Sequence, residues 1–85
     1  MIKSQTTIAS PDGLHARPAN EFAKLAATVP GKVTVSRLDG ERVRGDSMLS
    51  LMTLGLRSGE SVLVEISDDS QESLLEELIS LLSAP

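Results

Sequence analysis

Strand-like and helix-like periodicities alternate along this chain with only short turns between them, and that alternation leaves few ways to fold it. Residues 2–8 (IKSQTTI) are rich in β-branched side chains and set Ile2 and Ile8 on one face of a strand. Ser10-Pro11-Asp12-Gly13 is a turn cluster, because proline presets φ and glycine permits a left-handed residue. From Ala16 to about Thr28, the residues Ala19, Phe22, Ala23 and Ala26 recur at the spacing of one helical face. Pro18 falls in the first turn of that helix, where a missing N–H costs little, and Pro30-Gly31 ends the element.

Alternation returns at Lys32–Leu38, and Asp39-Gly40 predicts a two-residue hairpin turn into a strand at Glu41–Arg44. Ser47 is placed to cap a short helix from Met48 to about Leu54 that stops at Gly55. Ser58-Gly59 turns the chain into Glu60–Ile66, where Val62, Val64 and Ile66 share a face. Asp68 to Glu72 opens a last helix through about Leu82, with acids at its positive end. Leu74, Leu78 and Leu82 form its core stripe, joined by Leu75 and Ile79. The order β-α-β-β-α-β-α predicts a single α/β (α+β) domain over residues 1–85. A four-stranded sheet with its helices on one face, an open-faced two-layer sandwich, is the economical solution for so short a chain. The Lys, Arg, Thr and Ser that alternate with the valines suit the face left open to solvent.

Such a core must hold without covalent staples. There is no cysteine, so disulfides and thiolate metal sites are excluded, and one histidine cannot build a multi-histidine metal centre. No metal and no cofactor are expected. No apolar run approaches the roughly 20 residues of a membrane span, and Met1-Ile2-Lys3-Ser4-Gln5 lacks the apolar stretch of a signal peptide. A cytoplasmic domain without membrane insertion is the expectation. A net charge of −4, with Phe22 as the sole aromatic, argues against nucleic-acid binding. The charge is polarised: residues 1–57 sum to +3, whereas residues 58–85 hold seven acids and no base. The plain reading of the acidic end is a solvated helix face.

His15 is the one residue whose chemistry stands out. It lies between a glycine-containing turn and the start of a helix, where the backbone N–H groups of Ala16 and Arg17 lack intrahelical acceptors. The Arg17 guanidinium can grip a phosphate or carboxylate in bidentate fashion. A neutral imidazole is a nucleophile, and beside it stands an anion cradle. No GxxxxGK[ST] loop is present to bind a nucleotide. A site that can hold a phosphoryl group but not a nucleotide reads as a relay, not an enzyme. The alternative is a lone histidine capping a helix.

Gly13-Leu14-His15-Ala16-Arg17-Pro18-Ala19 resembles the active-site motif of the HPr family, the histidine-containing phosphocarriers of the phosphoenolpyruvate-dependent sugar phosphotransferase system of bacteria. Ser47-Met48-Leu49-Ser50-Leu51-Met52-Thr53-Leu54-Gly55 resembles the family's second motif, so the likeness covers essentially the whole chain. The resemblance implies an antiparallel sheet of strand order 1-4-2-3. It implies that His15 is phosphorylated on Nδ1 by the phosphohistidine of enzyme I. The group then passes to a histidine of the EIIA component of a sugar permease, with Arg17 shielding its charge. Six of the nine residues from Met48 to Leu56 are apolar, too many for one face of a short helix. The resemblance places Met48, Leu49 and Met52 in the docking surface, and flexible thioethers suit a monomer that meets several partners.

In some family members the serine matching Ser47 carries a regulatory phosphate. Here Asp46 already sets a negative charge beside the hydroxyl, which favours the helix-cap role. Asp12 replaces an uncharged residue common in the family, and Ser50 a common Gly or Lys. Two other readings remain open. One is a regulatory adaptor of the same fold; the other is a ferredoxin-like ligand sensor, which a different strand order would reveal.

Overall fold

The computed structural model describes residues 1–84. Its elements are β1 (Ile2–Thr7), α1 (Ala16–Ala26), β2 (Val33–Arg37), β3 (Val43–Arg44), α2 (Met48–Thr53), β4 (Ser61–Ile66) and α3 (Glu72–Ser83). The strands form one antiparallel sheet of order β1-β4-β2-β3. That order is the one the family resemblance implies, and it sets aside the ferredoxin-like arrangement.

Register explains why one sheet face is buried. Ile2, Ser4 and Thr6 stand opposite Ile66, Val64 and Val62, and across β4 the same row continues to Val33 and Val35. Side chains alternate with period two, so this row shares one face. Val33, Val35, Val62, Val64 and Ile66 are buried there beneath the helices. The helical stripes meet them: Ala19, Phe22, Ala23 and Ala26 from α1, and Leu74, Leu75, Leu78 and Leu82 from α3. All belong to a single core cluster, with Phe22 its largest fully buried side chain. Leu51 of α2 completes it, while Leu54 and Ile79 are partly buried at its margin.

Three local expectations are corrected. Helix α1 ends at Ala26 instead of Thr28, because the Thr28 hydroxyl donates to the Leu25 carbonyl at 2.8 Å and the chain tightens into i→i+3 bonds. Helix α3 starts at Glu72, because the Asp68 carboxylate accepts from the Ser70 N–H at 3.0 Å and the Ser70 hydroxyl at 2.7 Å. That local turn competes with helix and leaves Glu72 as the only acid of the first turn. The β2–β3 connection is no two-residue hairpin. Val35 pairs with Val43 and Thr34 with Arg44, a register that places Leu38, Asp39 and Gly40 in the turn. A type I′ turn would need positive φ at Gly40, which it lacks.

The open face is also less polar-solvated than its composition suggests. Glu65 in the central strand β4 is only 3% exposed, and Ser36 beside it is buried too. Arg42 reaches across from the β3 approach and sets its Nε 2.8 Å from Glu65 Oε1. The pair is close enough to balance charge but is not aligned as a hydrogen bond.

Candidate functional site

Three backbone staples hold the segment that carries His15. The Ala9 N–H donates to the Leu82 carbonyl at the end of α3 (3.2 Å), the Gly13 N–H to Ser10 (3.0 Å), and the Leu14 N–H to Leu56 beyond α2 (3.1 Å). Leu14 is itself buried in the core. The turn is therefore anchored to both flanking helical segments, and the next residue, His15, has little backbone freedom.

His15 is extended (φ −91°, ψ −174°) and its carbonyl accepts from the Ala19 N–H at 3.1 Å, which starts α1. It is an N-cap by position only, since its side chain makes no capping hydrogen bond. The imidazole is half-buried and its nitrogens take part in no hydrogen bond among the described residues. The helix-cap alternative thus has no support in the geometry. Ala16 and Arg17 are exposed at the first turn, where N–H groups point away from the helix. Arg17 makes no ion pair among the described residues. A nucleophile, free N–H groups and an uncommitted guanidinium are together.

His15 and Arg17 border a small hollow of about 130 Å³ that is also lined by Ser10, Pro18, Glu21 and the end of α3 at Leu81 and Ala84. Larger hollows run along α3: one of about 710 Å³ lies against β1, the other shares Leu81 and Ala84 with the histidine hollow, and neither is lined by His15 or Arg17. Asp12 is exposed and does not line the hollow, in keeping with a turn former that points away. Glu21 was not legible as a site residue, although its i+4 spacing from Arg17 is the signal that would have found it. Ser10 and Leu81 reach the hollow only through the tertiary fold, and no sequence pattern links them.

Helix α2 divides as its composition requires. Leu51 is buried, whereas Met48, Leu49 and Met52 are 39%, 77% and 39% exposed. Ser47 caps this helix, its Oγ accepting from the Ser50 N–H at 3.2 Å. Among the described residues there is no group of three or more acids, histidines or cysteines placed to hold a metal ion, and no helix long and apolar enough to cross a membrane.

Two carboxylates brace the neighbouring loops. Glu60 accepts from Arg37 Nε at 2.9 Å and Nη2 at 3.1 Å and from the Arg57 N–H, which closes the loop carrying Leu56. Asp46 accepts from Arg44 Nε and Nη2, both at 2.9 Å, and from the Gly31 N–H at 3.0 Å. The arginine hydrogen bonds, then the backbone donors, hold both carboxyls below their ordinary values of 4.5 and 3.8. A carboxyl with a depressed folded-state pKa stabilises the fold above its unfolded pKa and loses that contribution as pH falls through the folded one. Melting temperature should therefore hold from neutrality to about pH 5 and decline below about pH 4. In Glu60→Gln the acid-side decline should be shallower; an identical pH profile would show that the brace contributes nothing.

The PTS HPr component phosphorylation site family matches residues 2–84 of the chain. The phosphocarrier protein HPr of Borreliella burgdorferi is 34% identical over 84 residues, covering 99% of this chain and 96% of its own. That of Streptomyces coelicolor is 32% identical over 83 residues, covering 98% and 89%. Among solved structures, an HPr from Thermoanaerobacter tengcongensis superimposes with a TM-score of 0.81 at 29% identity, covering 100% of this chain and 99% of that one.

Proposed function

The chain belongs to the PTS HPr component phosphorylation site family, and from that premise we propose that it is a phosphoryl carrier whose acceptor is His15. The proposed donor is the phosphohistidine of enzyme I and the proposed recipient a histidine of an EIIA component. One observation carries the assignment: His15 is fixed through its backbone while its ring nitrogens remain uncommitted beside Arg17.

In the proposed step the Nδ1 lone pair of His15 forms a new P–N bond as the donor's P–N bond breaks, and the donor ring keeps that bond's electron pair. The same exchange in the other direction delivers the group to EIIA. A loose, in-line transition state asks the protein for positioning and charge neutralisation, which the staples and Arg17 supply. The small size of the hollow suits a relay. Deep binding of the phosphoryl group would stabilise the carrier's charged state as much as the transition state and stall the next transfer.

Intact-mass measurement after incubation with phosphoenolpyruvate and enzyme I is the test. The expected product carries one phosphoryl group that is lost in acid, as a phosphoramidate is. A folded chain that gains no mass would end the carrier reading.

The exposed Met48, Leu49 and Met52 are proposed as the apolar centre of the docking surface for both partners. A carrier must release what it binds, so the interface should be at the small end, below about 1,200 Å². Met48→Asp should weaken enzyme I binding at least tenfold, as loss of a central apolar anchor does, with melting nearly unchanged. Binding by titration calorimetry beside a thermal melt decides it; unfolding would return Met48 to the core. Ser47 is read as the cap of α2, its hydroxyl engaged by Ser50, and the proposed regulatory phosphorylation there ranks second to that role.

A further inference from the structure

Glu21 lines the same hollow as His15 and Arg17 and stands one helical turn beyond Arg17 on the exposed side of α1. Residues four apart on a helix have Cβ atoms roughly 5–6 Å apart, within reach of two long charged side chains. The order matters. An acid four residues before a base is the better helical pair, and here the base comes first, so the attraction is weak. In keeping with this, Arg17 and Glu21 form no ion pair in the structure, although Glu21 is the only carboxylate bordering the hollow among the described residues. The arginine is thus near a partner that it can leave.

We propose that Glu21 is a positioning residue that competes with the phosphoryl group for Arg17, and so keeps the group on His15 easy to transfer. The inference rests on the carrier reading of His15. Before transfer, Glu21 is the carboxylate that Arg17 has across the hollow, an attraction with no fixed ion pair. When the P–N bond to His15 forms, Arg17 turns to the phosphoryl oxygens and Glu21 loses its counter-charge. When that bond breaks and the group leaves, the guanidinium is again left with Glu21 as its nearest carboxylate in the hollow. Each phosphorylation therefore gives up one weak attraction, which lowers the share of the group held on His15 at equilibrium and favours onward transfer.

The experiment follows the distribution of phosphoryl between enzyme I and this chain, by phosphorus NMR of the two phosphohistidines at low salt. Glu21→Gln should shift the distribution toward phospho-His15 by about two- to fivefold, the range of an exposed ion pair. Glu21→Asp should lie between the two. The shift should shrink in concentrated salt, which screens exposed charges. In an Arg17→Ala background the Glu21→Gln effect should vanish, because the competitor then has nothing to hold. An unchanged distribution in Glu21→Gln overturns the proposal, and so does an equal shift without Arg17, which would mean direct repulsion of the phosphoryl group. If the unsubstituted chain takes up no phosphoryl at all, it is the carrier reading that fails.

Discussion

His15→Ala should take up no phosphoryl group from enzyme I while melting within about 4 °C of the unsubstituted chain. The two halves of that expectation come from the same geometry. Helix α1 begins at His15 through main-chain atoms, its carbonyl bonded to the Ala19 N–H, and the side chain contributes no capping bond. Replacing an N-cap by alanine costs about 1 kcal/mol when the lost side chain was capping. Here there is no such bond to lose and the half-buried ring has no hydrogen-bond partner among the described residues, so a change within about 0.5 kcal/mol is expected. The chemistry has no such reserve. This is the only histidine, so the chain holds no other imidazole to accept the group. Mass spectrometry and a thermal melt on the same sample separate the outcomes. An acid-labile phosphoryl on the alanine variant would place the acceptor elsewhere. A fall of about 8 °C or more would mean that the imidazole supports the loop. Intact folding and enzyme I binding with no phosphorylation is the expected pair of results, and it would also show that docking and chemistry reside in different residues.

The parts of this fold that repeat along the chain were legible in its sequence, and the parts that arise between distant segments were not. The α1 stripe of Ala19, Phe22, Ala23 and Ala26 is buried as its spacing predicts, and so are Val62, Val64 and Ile66 on β4. Burial of one face imposes those periods, so they are written in each element alone. Element ends follow from single hydrogen bonds that compete with the helix, such as the Ser70 donations to Asp68, and periodicity carries no trace of them. The β2–β3 register shows the same limit. Asp39-Gly40 has the composition of a tight turn, but pairing of Val35 with Val43 sets the turn's length. Glu65 is the clearest case, since an acid on the open face of a sheet reads as exposed until Arg42 is seen to cover it. In the site, His15 and Arg17 are neighbours in sequence and could be read together. Glu21 needed the helix to be drawn, and Ser10 and Leu81 needed the whole fold.

Gly13→Ala should lower stability by about 2–4 kcal/mol and slow phosphoryl transfer well beyond what the lost stability explains. Gly13 sits at φ +72°, where a side chain other than glycine costs roughly 1–2 kcal/mol. A Cβ there would lie 2.5 Å from the Leu56 carbonyl oxygen and 3.0 Å from Arg57 Cα. Both are backbone atoms, so no rotamer change relieves the contact, and one strand of chain must move away from the other. The Leu14-to-Leu56 hydrogen bond spans that same approach, and its loss adds about 1 kcal/mol. In a domain of this size each kcal/mol is worth about 4–8 °C of melting temperature. Moving this turn moves His15 two residues later, and a displacement of about 1 Å at a reacting atom can cost a hundredfold in rate. Gly59→Ala is the matched control. Gly59 is also left-handed, at φ +88°, but its Cβ would meet nothing within 4 Å. It should therefore show the backbone cost alone and near-normal transfer in the folded fraction. Transfer rates measured well below both melting points distinguish the two variants. If they lose equal stability and transfer alike, the close approach of Gly13 to Leu56 does not set the position of His15, and the rigidity of the site must come from α1 itself.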